Sequence, residues 1–296
     1  MAIWVGGLCM VLGIMPALFN NEMEVDKSKL KNLSKSELAA NTKEFIRGIV
    51  LTVKNKQFMK LCGATFFIFN GFQTIAQFSF FIIVYYLFQG DTVAAGTWPA
   101  WFGTVSALAT MFLVIPIVTK IAEKLGKRKA FVIATLLSII GYVLKWWGFD
   151  PANPWLMFMP IPFLSFGIGG LFTLMMSMTA DVCDLDELNN GERREGMFGA
   201  VYWWMVKLGT ALAMLTSGIV LHYIGFDESI TVQSAETLTN LRLADIIIPI
   251  AAALIAIVLV WRYNITEERA HEIKEALVKR RAEIAIEDKN IRKRAS

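Results

Sequence analysis

The sequence predicts an all-α membrane protein, and two observations support this fold class. Of the 296 residues, 55% are hydrophobic and only 18% are charged, whereas about a quarter of the residues in ordinary soluble domains are charged. The apolar residues are also segregated into long runs that alternate with short charged loops. This arrangement is typical of a chain that crosses a bilayer several times, and it argues against a soluble fold.

Seven apolar runs are long enough to form transmembrane helices. They cover residues 1–19, 59–88, 98–119, 130–149, 155–180, 198–224 and 243–263. The first run lacks the basic start and the small-residue cleavage site of a signal peptide, so it is predicted to span the membrane. Residues 20–58 form a much longer polar connection than any other, with the composition of a solvated linker that includes a surface helix.

Residues 265–296 follow the last run as a basic tail. The tail is predicted to begin as an amphipathic helix, because acids occupy its first turn and bases follow. Ile273, Leu277 and Ile284 give this helix a weak apolar stripe. The simpler interpretation is a solvated anchor at the membrane face, and a helix that binds a partner is the alternative.

The distribution of basic residues predicts the orientation of the spans. Lysine and arginine crowd the linker, the turn 119–129 and the tail, whereas the connections 89–97 and 225–240 contain none. The positive-inside rule then places the linker and the tail in the cytoplasm. This topology puts residue 1 on the outer side, a pattern that resembles the second half of a longer transporter, cut inside its sixth helix. Residues 59–264 would form the six-helix bundle of that half.

The formal net charge of +4 comes from loop residues that set membrane orientation, so it is not a nucleic-acid signal. Cys9, Cys62 and Cys183 have no paired spacing, and they suggest neither a disulfide framework nor a metal site. The chain has only two histidines, which gives poor support to a catalytic histidine constellation. We therefore expect no enzyme and, in this part of the protein, no metal site or cofactor.

Lys207 is the most informative residue, because it interrupts the apolar run 198–224. About ten helical residues place it roughly 15 Å deep, near the middle of a hydrocarbon core about 30 Å thick. An isolated lysine there costs about 2.5–3.5 kcal/mol, so such residues face a bundle interior or a water-filled cavity. The alternatives are that Lys207 reaches an interface by snorkelling or that the helix starts later.

Helical spacing gives the Lys207 helix two different faces. Trp203, Lys207 and Thr210 recur at i, i+4 and i+7 and share one face. A stripe of small residues lies roughly opposite and suits close packing on a neighbouring helix; it consists of Gly209, Ala213 and Ser217. No acidic residue is predicted deep in another span, so a carboxylate partner of Lys207 is expected outside this chain.

The stretch 175–198 is predicted to leave the membrane in a turn rich in Asp, Glu and Arg. Its charged residues could form ion pairs that break and re-form between two states of a transporter. We single out Asp181, Asp184, Arg193 and Arg194. The alternative is a solvated acidic loop whose carboxylates neutralise local bases. Hydrolytic or divalent-metal chemistry is disfavoured, because no His or Ser/Thr constellation accompanies these acids.

Residues 180–226 resemble the signature of the glycoside–pentoside–hexuronide:cation symporters of the major facilitator superfamily. The pattern comprises A-D-x-x-D-x-x-E, then G-x-R-R-E-G, then an aromatic-rich helix with K-x-G. "QSAETL" at 233–238 and "EKLGKRK" at 123–129 add support, the latter as a basic turn that recurs in the superfamily. The resemblance implies a twelve-helix facilitator fold, of which this chain covers the sixth helix, the central loop and the C-terminal six helices.

The resemblance also implies roles for individual residues. Lys207 matches an intramembrane lysine of the eleventh helix that couples the sugar and cation sites. Trp203, Val206 and, less closely, Tyr202 match positions that line the sugar cavity, and Phe172 falls where a relative has tryptophan. The larger Trp203 and Tyr202 replace smaller polar residues, which implies a different sugar specificity. In the basic turn, Glu123 stands where the superfamily often has Asp. We expect a cytoplasmic gate formed by this turn and the charged stretch after it in the chain, with the residues Glu123, Lys127, Arg128, Asp181, Asp184, Arg193 and Arg194.

Three amides of the first helix after the linker recur at i, i+3 and i+7, namely Asn70, Gln73 and Gln77. They are candidates for hydrogen bonds to sugar hydroxyls. Polar contacts between helices are an equally good interpretation.

The function implied is symport of a sugar or glycoside with Na⁺ or H⁺ across a bacterial plasma membrane. The acids that bind the coupling cation would belong to the N-terminal six-helix half, which is absent from this chain. Two alternatives remain open: a truncated or regulatory half-module that does not transport, and a transporter of the same fold for lipids or other amphiphiles.

Overall fold

The computed structural model describes residues 2–19 and 35–295, and within these ranges it contains helices and no β-strand. The contacts divide the chain after Phe45 into two compact units. The first unit includes α1, Ala2–Phe19, and the beginning of α2, Lys35–Lys54. Residues 20–34, which hold the first part of the predicted linker, lie outside the described residues.

Within the described residues, the second unit contains the end of α2 and nine further α-helices. These are α3 (Lys56–Phe81), α4 (Thr92–Ala95), α5 (Trp98–Ala109), α6 (Ile115–Leu125), α7 (Lys127–Gly148), α8 (Ile161–Asn190), α9 (Glu195–Tyr223), α10 (Ala235–Trp261) and α11 (Glu267–Ala295). A π-helical segment, Ile82–Leu87, continues α3, and a second one, Thr110–Val114, joins α5 to α6. A short 3₁₀ helix, Pro154–Phe158, precedes α8.

Six helical segments of the described chain are long and apolar enough to cross a membrane. They are Lys56–Leu87, Thr92–Leu125, Lys127–Gly148, Pro154–Asn190, Glu195–Tyr223 and Ala235–Trp261. The last six predicted spans are therefore confirmed as helices that could span. The first predicted span forms α1, which is not among these six, and its place in the membrane stays a prediction.

Helix ends follow ordinary capping chemistry. The Asn55 side chain accepts hydrogen bonds from the backbone N–H groups of Gln57 and Phe58, both at 3.1 Å, and so starts α3. Gly126 separates α6 from α7 with a φ of 81°, and Gly191 ends α8 with a φ of 78°. Both values lie in the left-handed region, which only glycine adopts without strain.

Two helix boundaries differ from the predicted spans in ways that affect function. Helix α8 continues past residue 180 to Asn190, so Asp181 and Asp184 lie on a helix and not in a turn. Helix α10 begins at Ala235, well before residue 243, which places Asp245 inside it. The prediction that no acid lies deep in another span is therefore wrong. The hydropathy pattern placed the start of α10 too late, because the first turns of this helix are polar.

Helix α3 lies at the centre of the bundle and packs against α8, α9 and α10. Helix α7 packs against α8 and α10, and α11 packs against α8. We call the end of the bundle where α11 starts the tail end, and the opposite end the far end. Because α3 packs against both α8 and α9, the predicted site residues of all three helices belong to one bundle.

Candidate functional site

Lys207 lies in the middle of α9, about 18 Å from the start of the helix at 1.5 Å per residue. Its side chain is exposed on the surface of the bundle, and it makes no ion pair with any acid of residues 2–19 and 35–295. Trp203, one turn earlier, is 48% exposed on the same face. Thr210 is half-buried and donates its hydroxyl to the carbonyl of Val206. The structure therefore presents a cation and an aromatic ring together at mid-helix.

The small-residue stripe of α9 packs against α3, as predicted. Gly209, Ala213 and Ser217 are all buried. A Cβ atom on Gly209 would lie 2.7 Å from the carbonyl oxygen of Phe66 and 3.1 Å from the Cβ of Phe69. The two backbones meet because this position lacks a side chain, and that contact turns Lys207 outward.

Tyr202 and Val206 lie on the packed side of α9 and not beside Lys207. Their side chains are 1% and 6% exposed, and both belong to the hydrophobic core. The predicted role of these two residues in lining a sugar cavity is not supported by this placement. The cause is the rotation of α9, which places Trp203 outward and its neighbour Tyr202 inward.

The remaining predicted contact residues lie on α3 and α8. Phe172 is 43% exposed, and its ring meets that of Phe69 edge to face with 5.6 Å between centroids. Gln73 and Gln77 are half-buried, whereas Asn70 is buried with no partner for its side-chain nitrogen among the described residues. Neither interpretation of the three amides, sugar contact or interhelical bond, is decided by these positions.

Asp181 is the centre of an ion-pair group at the tail end. Its carboxylate lies 2.6 Å from the Nζ of Lys127, at the start of α7, and 3.4 Å from the Nζ of Lys274 on α11. The Asp181 side chain is only 4% exposed. A buried carboxylate needs such partners, because an unpaired charge out of water is costly. The structure thus joins two predicted gate residues and adds a third residue from the tail.

Arg193 and Arg194 hold the connection between α8 and α9. Arg193 donates to Glu187 at 2.8 Å and to Asp184 at 3.2 Å, and it forms a two-bond pair with Glu195 at 2.9 and 3.0 Å. The hydrogen bonds that Arg193 donates to Glu195 and Glu187 raise the pKa of its guanidinium above the ordinary value. Arg193 therefore ties α8 and α9 together through carboxylates of both helices.

Arg194 pairs with Asp186, which is 8% exposed. Its Nε and Nη2 atoms donate to the two carboxylate oxygens at 3.0 and 2.8 Å, the fork geometry that makes such pairs strong. Asp186 also accepts a hydrogen bond from Asn190 at 2.9 Å. Arg194 thus stabilises the buried side of the connection between α8 and α9.

The other two predicted gate residues line a cavity of about 370 Å³ beside Asp181. Arg128 donates to the backbone carbonyl of Tyr263 at 3.1 Å. The buried Tyr263 donates to the carbonyl of Met178 at 3.3 Å, and burial raises the pKa of its hydroxyl. Glu123 is exposed at the rim and makes no ion pair within the described ranges.

The tail helix supplies charges that sequence reasoning missed. Besides Lys274, it places Arg281 2.8 Å from Glu187. Ala270, Ile273 and Leu277 are buried beneath these two bases. The spacing at 270, 273, 274, 277 and 281 follows one helical face and could have predicted a docked helix instead of a solvated anchor. The Ile284 side chain, the third member of the predicted stripe, lies outside the described residues.

Comparison with known proteins identifies the class to which this arrangement belongs. The model of the MFS/sugar transport protein family, where MFS denotes the major facilitator superfamily, matches residues 1–267. The chain therefore belongs to this family of multi-span membrane transporters, and the resemblance read from residues 180–226 is confirmed.

Individual relatives fall within the same group of transporters. A glucuronide carrier protein homolog of Escherichia coli is 27% identical over 53% of this chain and 34% of its own length. An uncharacterized symporter of Synechocystis is 25% identical over 88% of this chain and 47% of its own. A sodium-dependent lysophosphatidylcholine symporter of Gallus gallus is 23% identical over 79% of this chain and 43% of its own. The chain thus spans less than half the length of each of these relatives.

Proposed function

We propose that this chain is the C-terminal part of a sugar or glycoside:cation symporter that works by alternating access. The observation that carries the proposal is the exposed Lys207, which lies beside Trp203 in the middle of a helix that could span a membrane. A lysine at that depth needs an opposite charge or a water-filled path. A second bundle that faces α9 and contributes carboxylates would meet this need.

In this proposal, Lys207 releases or engages those carboxylates as the cation and the sugar bind. Trp203 and Phe172 offer exposed aromatic faces to the sugar ring, and Gln73 and Gln77 offer amides to its hydroxyls. The two bundles move as near-rigid bodies around a site at the membrane midplane. We do not include Tyr202 and Val206 in the sugar site, because their side chains belong to the core.

The tail-end ion pairs form the cytoplasmic gate in the same proposal. Each of these ion pairs joins residues of this one bundle, so the pair can stay intact when the bundle moves as a rigid body. When the other bundle approaches, the carboxylate of a pair can exchange its basic partner for one on that bundle. We propose Na⁺ or H⁺ as the coupling ion, with its site in an N-terminal six-helix half. The proposed location is a bacterial plasma membrane, with the linker and tail in the cytoplasm, and no catalytic step is involved.

Uptake into right-side-out membrane vesicles tests this function. The vesicles carry the complete reading frame that contains this chain, and the substrates are radiolabelled glucosides, galactosides, pentosides and glucuronides. We expect at least one sugar to accumulate under an inward Na⁺ or H⁺ gradient and to leave when an ionophore collapses the gradient. Equal uptake of every sugar in vesicles with and without the protein would contradict the proposal.

Transport of an amphiphile is a second candidate, because a specific cavity favours it. A cavity of about 490 Å³ lies between α3, α5 and α8, and most of its wall is apolar. Five of its lining side chains are aromatic, namely Phe72, Phe80, Phe102, Tyr142 and Phe172. Such a cavity suits an alkyl chain or an apolar aglycone. Cation-driven uptake of a labelled lysophospholipid, with no uptake of any sugar, would favour this candidate.

The remaining alternative is a half-module that does not transport. The DNA upstream of residue 1 distinguishes it from the proposal. Further spans with intramembrane Asp residues in the same reading frame would support the symporter, whereas a separate start codon with its own ribosome-binding site would favour the half-module.

A further inference from the structure

A buried ion pair lies toward the far end of the bundle, away from the predicted sites. The Lys145 ammonium on α7 pairs with the Asp245 carboxylate on α10, and each side chain is only 1% exposed. Lys145 Nζ also donates to the hydroxyl of Ser79 on α3 at 3.3 Å. One lysine therefore links three helices inside the apolar part of the bundle.

Arg242 lies one turn before Asp245 and contacts the same three helical segments. Its guanidinium carbon is 4.3 Å from the ring centroid of Tyr86 and 4.3 Å from that of Trp146, so the group is held between two rings. It donates to the Tyr86 hydroxyl at 2.7 Å and to the Trp146 backbone carbonyl. Trp146 follows Lys145 on α7, and Tyr86 belongs to the π-helical segment that continues α3.

These contacts depend on one another. A charge in the apolar interior is tolerated when it is paired, and removal of one partner leaves the other uncompensated. Arg242 contributes a planar group that stacks on rings and directs hydrogen bonds at the same time, which lysine cannot do. The π-helical segment is a rare geometry that occurs mostly as single turns at functional sites. Here Arg242 of α10 contacts Tyr86 within this segment.

We propose that Lys145, Asp245 and Arg242 form a charged clamp that positions the π-helical end of α3. This end helps to form the apolar cavity described above, because Ser79 and Ile83 line its wall together with Tyr142 of α7. A shift of this segment would therefore change the cavity. The three residues are positioning residues. Their importance for transport rests on the proposed function, but their hold on α3 does not.

Cysteine alkylation of the π-helical segment tests the clamp without any substrate. The reporter is Tyr85→Cys in the complete protein, with its other cysteines replaced. Arg242→Lys keeps the charge but loses the planar contact with both rings, and we expect alkylation at least fivefold faster than in the parent. Arg262→Lys is the matched control, because Arg262 is an exposed arginine at the other end of α10. Equal rates in the parent and Arg242→Lys would overturn the proposal.

A single and a double variant test the buried ion pair of Lys145 and Asp245. Lys145→Met leaves Asp245 unpaired, and we expect at least a fivefold loss of folded protein in the membrane, measured by fluorescence-detected size-exclusion chromatography. Lys145→Met combined with Asp245→Leu removes both charges and should recover most of that loss. A single variant as abundant as the parent, or a double variant no better than the single, would overturn the clamp. Neither readout uses transport, so a failed uptake assay would leave this result unaffected.

Discussion

At the residue scale, Lys207 is the side chain on which the proposed transport mechanism depends. It is exposed in the middle of α9 and makes no ion pair within residues 2–19 and 35–295. The far-end lysine, Lys145, is buried and paired inside the bundle. Two lysines within helices that could span therefore have opposite environments: Lys145 is paired inside this bundle, and Lys207 is exposed on its surface.

Lys207→Ala should abolish cation-driven accumulation, with a loss greater than tenfold, because the alanine cannot respond to carboxylates of the other half. Facilitated counterflow and accumulation in vesicles measure the effect. Lys56→Ala is the matched control, since Lys56 is also exposed on a helix but lies at the start of α3, outside the proposed gate. Accumulation at the parental level in Lys207→Ala would remove this residue from the mechanism.

A second residue, Gly209, sets the direction in which Lys207 points. Its missing side chain allows the backbones of α9 and α3 to meet, with the carbonyl oxygen of Phe66 2.7 Å from the place of a Cβ atom. The Phe66 carbonyl belongs to the backbone of α3 and cannot rotate away as a flexible side chain can. A side chain at position 209 would therefore force α9 and α3 apart.

Gly209→Ala should destabilise the bundle by about 1–3 kcal/mol, the usual cost of overpacking a close contact. The midpoint of thermal unfolding in detergent measures this change. Gly218→Ala on the same helix is the control, because a Cβ atom there would meet nothing within 4 Å. If the two variants unfold at the same temperature, the close packing of α9 on α3 is not a determinant of stability.

At the element scale, α11 is part of the bundle. It buries Ile273 and Leu277 against the core and places Lys274 and Arg281 on acids of α8. Asp181 and Glu187 are thereby shared between the tail and the basic residues of the gate. A tail that shares these carboxylates would be coupled by charge to the proposed gate.

Leu277→Ser should release α11, because a buried leucine contributes about 2–5 kcal/mol and the hydroxyl has no partner prepared for it. Limited trypsin digestion measures the release, and we expect cleavage within the tail at least tenfold faster. Val278→Ser controls for the change in chemistry, since the adjacent Val278 is 65% exposed. Similar cleavage of the two variants would show that the docked face does not hold the tail.

At the scale of the whole molecule, contacts between distant segments define the tail end: Arg128 of α7 donates to the carbonyl of Tyr263 after α10, and Lys274 of α11 pairs with Asp181 of α8. The basic turn 119–129 and the tail both lie at this end, as the proposed gate requires. The positive-inside rule predicts that this end is cytoplasmic. Orientation in the membrane is therefore the property on which the proposed gate depends.

Labelling of single cysteines with a membrane-impermeant maleimide tests the orientation. In a protein whose own cysteines are replaced, Glu228→Cys should react in intact cells, because it is exposed in the connection 225–230 at the far end. Lys124→Cys, exposed at the tail end, should react only after the membrane is permeabilised. The reverse pattern would invert the topology and place the ion-pair gate outside.

Several features follow from the sequence because they depend on local pattern alone. Apolar run length gives the helices that could span, and the spacing of Gly209, Ala213 and Ser217 gives the packed face of α9. The motif between residues 180 and 226 gives the family. The sequence also placed Lys207 at mid-helix, since depth is a count of residues along one apolar run.

Only the tertiary structure decided which distant side chains meet. Lys145 and Asp245 lie on different helices, and their pairing depends on the rotation of α7 and α10, which hydropathy does not contain. The burial of the Tyr202 side chain and the packing of α11 on α8 could not be predicted for the same reason. A linear pattern fixes the depth and faces of a helix, whereas its neighbours are chosen by packing across the whole bundle.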